Sequence, residues 1–140
     1  LELFPDAVAS SCSEVAAIAA DIVAFLGGDD IRFSLDDIRL DGCSGFQQQV
    51  LRAEHAIPRG MVSTYRRIAV HLGKPKGARA VGNALARNPF PIIIPCHRAV
   101  RSDGRPGGYQ GGPEMKRALL VREGIAFDEA GRVRSARFFY

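Results

Sequence analysis

Apolar residues recur at helical spacing between Ser10 and Leu26, where Val15, Ile18, Ile22, Phe25 and Leu26 form one stripe. That rhythm predicts an amphipathic helix, with Ser10, Ser11 and Ser13 as candidate N-caps and Gly27-Gly28 as its stop. From Asp29 to Gly45 the pattern weakens to a short alternation of Ile31, Phe33 and Leu35, which predicts an extended linker with at most one short strand. The shift in composition there divides the chain into residues 1–44, a helix and linker, and residues 45–140, a second domain. A helix from Gly45 to Ala56 follows, with Phe46, Val50, Leu51 and Ala53 on one face and Pro58-Arg59-Gly60 closing it.

The next stretch has the rhythm of a helix-turn-helix. Thr64 can cap a short helix running to His71, with Ile68 and Ala69 inward, and Gly73-Lys74-Pro75 makes the turn. A small-residue helix from Lys76 to about Ala86 completes the unit. Two glycines in that helix, Gly77 and Gly82, each cost about 1 kcal/mol relative to alanine, so something should use the close approach they permit. The candidates are packing against another helix and contact with a nucleic acid. After Asn88-Pro89, residues Pro91 to Pro95 read as a short buried extended run that delivers Cys96 and His97 at its end. Ser102 to Pro113 holds five glycines and two prolines around Tyr109, as a binding loop would. A helix over Glu114–Glu123 and a small hairpin over Phe127–Phe139 complete the expected order.

Charge adds an asymmetry that the apolar pattern does not show. Residues 1–60 carry four basic side chains against ten acidic ones, and residues 61–140 carry fifteen against five. A basic half of that density suits a polyanionic partner, and a solvated basic surface is the plainer alternative. No apolar run approaches the roughly 20 residues of a membrane span, so no membrane partner is expected. The odd set Cys12, Cys43 and Cys96 makes neither a disulfide framework nor a metal-binding pair, and nothing resembles a secretory leader. An intracellular, cytoplasmic setting is the simplest reading. The start at Leu1 rather than Met suggests that an upstream segment is missing.

Cys96 is the candidate nucleophile. A free cysteine there could be plain core, but His97, Arg98 and the basic half would favour its thiolate. Neighbouring Cys and His side chains diverge along an extended chain, so proton transfer between them needs a bridging water or a sharp turn. Cys12 and Cys43 lack such surroundings and read as packing residues.

Pro95-Cys96-His97-Arg98-Ala99-Val100 resembles the active-site motif of the O6-alkylguanine-DNA alkyltransferases. The likeness continues in register through Phe46-Gln47, Gly60-x-Val62-x-Thr64-Tyr65, Ala78-Arg79-Ala80-Val81-Gly82 and Asn88-Pro89 upstream. Downstream it takes in Ser102-Asp103-Gly104, Gly108-Tyr109-Gln110-Gly111-Gly112, Lys116 and Glu123-Gly124. The resemblance implies an α+β, mainly α fold, a helix-turn-helix (winged-helix-like) DNA-binding alkyltransferase domain after a short or truncated N-terminal subdomain. It implies that Cys96 accepts the alkyl group, that His97 activates it through a water, that Glu123 holds the imidazole and that Asn88 braces the turn. Tyr65 would contact the flipped base and Arg79 would fill the gap left in the duplex. Gly77, Ala78, Ala80, Gly82 and Leu85 would form the DNA-facing helix, the backbone at Ala99 and Gln110 would meet the guanine edge, and Tyr109 and Lys116 would line or support the pocket.

The implied partner is double-stranded DNA carrying O6-alkylguanine, approached through the minor groove with the damaged base flipped out, by a monomer with no cofactor and no metal. The chain would lie in the cytoplasm at the nucleoid, or in the nucleus of a eukaryote. Physical reasoning runs the same way, because O6 of a stacked guanine cannot be approached along the line a displacement needs. Ala99 stands where valine is commoner, Asn83 where a second glycine is common, and Arg87 adds charge after the helix. Ala99 would loosen one pocket wall. Three other functions compete: a non-catalytic binder of alkylated DNA, a helix-turn-helix regulator, and a Cys-His hydrolase.

Overall fold

A computed structural model of the chain describes residues 12–134 and 138–140. It falls into two compact units, Leu1–Ile31 and Arg32–Tyr140. In the first, helix α1 spans Ser13–Gly27 and ends as its glycines predict, with Gly28 in the left-handed region at φ 113°. Its start differs from expectation. Cys12 occupies the N-cap without a side-chain cap, and Ser13 already lies in the helix with Oγ donating to Glu14 Oε2 at 3.1 Å. Ser10 and Ser11 lie outside the described residues. Cys12 is exposed, so it does not pack as anticipated.

The second unit begins inside what reads as linker. A 3-10 turn over Leu35–Asp37, capped by Ser34, opens a segment in which Leu40 joins the unit's main apolar core and Leu35, Ile38 and Cys43 pack against it. Helix α2 spans Gly45–His55, with Ser44 Oγ accepting from the Gln47 N–H at 3.3 Å. Strand β1 is only Ser63–Thr64, and Thr64 then caps helix α3, Tyr65–His71, by accepting from the Arg67 N–H at 3.1 Å. Helix α4 spans Ala78–Ala86. Its N-cap is Gly77, where a Cβ would stand a tight 3.0 Å from the Lys74 carbonyl oxygen. The close approach that Gly77 permits is therefore within the α3–α4 turn. Val50, Leu51, Ile57, Ile68, Val81, Leu85 and Ile94 interlock between these helices and are almost completely withdrawn from solvent.

The segment before the cysteine is not extended. Ile92 sits at φ 75° and the Ile94 N–H returns to the Phe90 carbonyl at 2.9 Å, so the chain reverses. A β-branched residue in that region costs on the order of 1–3 kcal/mol and persists only where its surroundings dictate it. Here Asn88 does so, its Oδ1 accepting from the Phe90 N–H at 2.9 Å and its Nδ2 donating to the Ile94 carbonyl at 3.2 Å. A 3-10 turn over Cys96–Arg98 follows. Strand β2, Ala99–Val100, then pairs in parallel with β1 in the register Ser63 to Ala99 and Thr64 to Val100.

Helix α5, Gly112–Arg122, starts two residues earlier than expected. A second apolar cluster of Val62, Val100, Leu120, Ile125 and Val133 seats it against the two-stranded sheet. In place of a complete hairpin, Phe127 bridges Val133 antiparallel, while Phe138 bridges Val62 in parallel. Residues 135–137 of the expected hairpin lie outside the described residues. The Ser63 hydroxyl donates to the Phe139 carbonyl at 2.7 Å, tying the end of the chain to β1. No helix among the described residues is long and apolar enough to cross a membrane.

Candidate active site

Cys96 lies 6% exposed on the floor of a cleft of about 530 Å³. Three elements build the walls. Helix α4 supplies Ala78, Arg79, Gly82 and Leu85, helix α3 supplies Tyr65 at its first position, and the glycine-rich loop supplies Gly107, Gly108, Tyr109 and Gln110. Arg101, which sequence reasoning did not single out, also lines the cleft, as does Asn83. The signal for Arg101 was weak, since one arginine in a basic half carries no pattern of its own. Burial pushes Tyr65 up to about 12, aided by the charge of Glu54, so it remains a phenol at neutral pH.

Behind the cysteine the 3-10 turn directs its neighbours away from the cleft. His97 is fully buried and its Nε2 lies 2.8 Å from Glu123 Oε1. Arg98 donates to both oxygens of the same carboxylate at 2.9 Å, and to the Ile57 carbonyl at 2.6 Å. Burial alone would raise Glu123, but the hydrogen bonds from His97 and Arg98 outweigh it and bring the carboxyl down to about 2. The ionised carboxylate can only accept, so His97 donates from Nε2 and its lone pair sits on Nδ1. Burial, opposed by Glu123, also lowers the imidazole below its ordinary value and keeps it a neutral base.

The thiol does not follow expectation. Burial raises Cys96 above the ordinary thiol value, and a hydrogen bond with the Asn88 side chain only partly offsets it. Arg98 cannot serve the sulfur because its guanidinium is consumed by Glu123. The resting group is therefore a protonated thiol beside a neutral base.

Other expected site residues act at one remove. Lys116 is fully buried, with Nζ donating to the carbonyls of Ala99 at 2.7 Å and Gly108 at 3.2 Å. Ala99 is itself fully buried and absent from the cleft lining, so the wall its small side chain was expected to loosen is made by others. Gln110 donates through Nε2 to the carbonyls of Ala86 and Asn88 at 2.9 and 3.0 Å, binding the loop to the end of α4. Gly77 and Ala80 lie on α4 or its cap outside the cleft lining. Among the described residues no group of three or more His, Cys, Asp or Glu side chains could hold a metal ion.

Residues 45–125 match the model of the 6-O-methylguanine DNA methyltransferase DNA-binding domain. The chain belongs to that family. It is 44% identical over 104 residues to the methylated-DNA–protein-cysteine methyltransferase of Methanothermobacter thermautotrophicus, covering 74% of this chain and 58% of that protein. It therefore spans little more than half the length of that relative. Among solved structures it resembles Mycobacterium tuberculosis OGT in complex with DNA, with a TM-score of 0.71 and 39% identity over 78% of this chain and 66% of that one. It also resembles S. pombe Atl1 in complex with damaged DNA containing O6-carboxymethylguanine, with a TM-score of 0.59 and 28% identity over 74% of this chain and 99% of that one. The family's fold, mainly helical with a small sheet, is the fold found here.

Proposed function

We propose that this chain reverses alkylation damage by moving one alkyl group from O6 of guanine in duplex DNA to Sγ of Cys96. The observation that carries the reading is a protonated nucleophile facing an open cleft, with a buried, neutral His97 held by the Glu123 carboxylate directly behind it. The thiol proton passes through a water to His97 Nδ1 as the sulfur attacks. The S–C bond forms as the O6–C bond breaks, and the departing guanine takes up one proton, so the atoms balance without a co-reactant. The product thioether is stable to water, which makes the transfer stoichiometric and consumes the protein.

Access to the sulfur requires an extruded base. Helix α4 would lie along the minor groove with its small residues against the backbone, while exposed Arg79 at the cleft mouth would take the space the base leaves. Tyr65 would guide the flipped nucleotide, and Lys116 and Gln110 would hold the loop that closes over it. A monomer suffices for these roles, and its compartment is that of the DNA. The bound DNA in the OGT and Atl1 structures supports this reading.

Incubation with an oligonucleotide containing O6-methylguanine, followed by intact-protein mass measurement, tests the proposal. The expected result is a gain of one methyl group per chain, absent in Cys96→Ala. No gain, or a gain that survives the substitution, would overturn it, and repeated turnover would instead indicate a hydrolase.

A further inference from the structure

Among the described residues, the cations that line the cleft are Arg79 and Arg101. The proposed transfer commits Arg79 to the gap in the duplex and leaves Arg101 without a role. Backbone pairing fixes where Arg101 stands. Parallel β1 and β2 align Thr64 with Val100, so the next residue of each strand, Tyr65 and Arg101, leave the sheet side by side. A tight turn holds Arg101 there, its N–H donating to the Arg105 carbonyl and its own carbonyl accepting from the Gly104 N–H, both at 2.9 Å. Gly107 lies against the pair, since a Cβ on it would stand 2.8 Å from the Tyr65 hydroxyl and 3.4 Å from Arg101 Cγ. Beside the cleft is a notch of about 410 Å³, which Arg101 lines with Tyr65, Ala78, Arg79, Ser102 and Asp103.

Donors dominate the polar groups of this notch. Its two guanidinium groups, the Tyr65 phenol and the Ser102 hydroxyl can all donate, and Asp103 is the one acid among its lining residues. Asp103 holds Arg101 only loosely. Its Oδ1 accepts from the Arg105 N–H at 3.1 Å, while its Oδ2 stands 3.4 Å from Arg101 Nη2, with the arginine and aspartate side chains 57% and 45% exposed. Exposed pairs of that kind contribute little and give way to a better acceptor. Burial, then Glu54 and Cys96, raise the Tyr65 phenol, and Arg101 opposes them. The thiol is governed by burial, Asn88, Glu54 and Lys116, so the guanidinium serves the cleft mouth and not the sulfur.

We propose that Arg101 binds a phosphate flanking the extruded nucleotide, anchoring the backbone of the damaged strand beside the cleft while the base reaches Cys96. With the base on the cleft floor, its sugar stands at the mouth and the adjoining phosphate enters the notch. The planar guanidinium meets two phosphate oxygens at once and releases Asp103 to do so. Such a contact carries no base identity, which suits a protein that acts on damage in any sequence.

Arg101's role rests on the proposed base extrusion, so binding and chemistry are measured apart. The chain with Cys96→Ala, which cannot accept an alkyl group at that position, is titrated with fluorescent duplexes containing O6-methylguanine. In these duplexes an uncharged methylphosphonate replaces the phosphate 5′ to the lesion, 3′ to it, or well away from it. The series is repeated with Arg101→Met and with Arg101→Lys added. Neutralising one of the two flanking phosphates should weaken binding about threefold or more when Arg101 is present and hardly at all in Arg101→Met, the coupling of a direct contact. Arg101→Lys, a point charge without the fork, should keep part of that sensitivity. The slope of log Kd against log salt should also become shallower by about 0.9 in Arg101→Met. Equal weakening of the Arg101 and Arg101→Met chains by both flanking substitutions overturns the proposal, as does coupling to the distant phosphate alone. Should Arg101→Met instead selectively weaken a duplex carrying O6-carboxymethylguanine, with no phosphate coupling, Arg101 reads the adduct and the proposal falls. A parent chain that binds but never accepts an alkyl group overturns the proposed function, while the coupling, measured with an inert position 96, still decides the role of Arg101.

Discussion

Replacing Glu123 by Gln removes a charge that three hydrogen bonds converge on, one from His97 and two from Arg98. The carboxyl is 1% exposed and its value falls from an ordinary 4.5 to about 2. A depression of that size corresponds to about 3 kcal/mol of stability by linkage. Because the folded-state value is the lower one, the contribution is complete above pH 4.5 and disappears as the pH falls through about 2. The substitution also leaves the Arg98 guanidinium buried with only the Ile57 carbonyl and an amide, a loss of about 3–5 kcal/mol for a broken buried pair. Urea unfolding at pH 7 should thus show the variant less stable by several kcal/mol. The difference attributable to the carboxylate should shrink to roughly half by pH 3 and almost vanish by pH 2. A difference that stays constant from pH 7 to pH 3 would refute the reasoning, since it would mean that the carboxyl is not held ionised. The folded fraction of the variant should also transfer alkyl groups slowly, because an amide does not hold His97 in its Nε2-protonated form as firmly.

Two further outcomes test the cleft. Arg79→Ala should slow repair of duplex DNA much more than reaction with a free O6-alkylguanine base, measured side by side, and equal slowing would remove the extrusion role. Gly107→Ala places a Cβ 2.8 Å from the Tyr65 hydroxyl at a backbone φ of 75°, so the loop or the ring must move. Alkyl transfer should drop about tenfold or more while the unfolding midpoint falls modestly, a loss of about 1–2 kcal/mol, and an unchanged transfer rate would show that this loop does not shape the pocket.

Much of the architecture was legible from local pattern. The α2 stripe of Val50, Leu51 and Ala53, the cap at Thr64 and the turn before α4 are short-range features, and each follows from side-chain periodicity and backbone hydrogen bonding within a few residues. The residues that gather at the cleft could be named because their motif is linear and recognisable. Other features were invisible for a physical reason: they depend on partners far away in sequence. The reversal at Ile92 looks like a strand to any count of apolar residues, and it becomes visible only with the bonds that Asn88 makes to Phe90 and Ile94 and the Ile94–Phe90 backbone bond. Arg98 looks like a cation beside a thiol, and only the fold reveals that Glu123, 25 residues away, has claimed it. Glu54 stands i+4 from Val50 on the apolar face of α2, and only the fold shows that an acid there is completely buried.

By itself, then, the sequence determined the chemistry on offer, a cysteine followed by histidine on a basic, helix-turn-helix chain, because composition and short spacings encode both. Tertiary structure alone decided the state of that chemistry. Burial raises the Cys96 thiol and lowers His97, while Arg98 and His97 together hold Glu123 ionised. Such shifts arise from desolvation and charge pairing between distant segments, which no local pattern of residues contains.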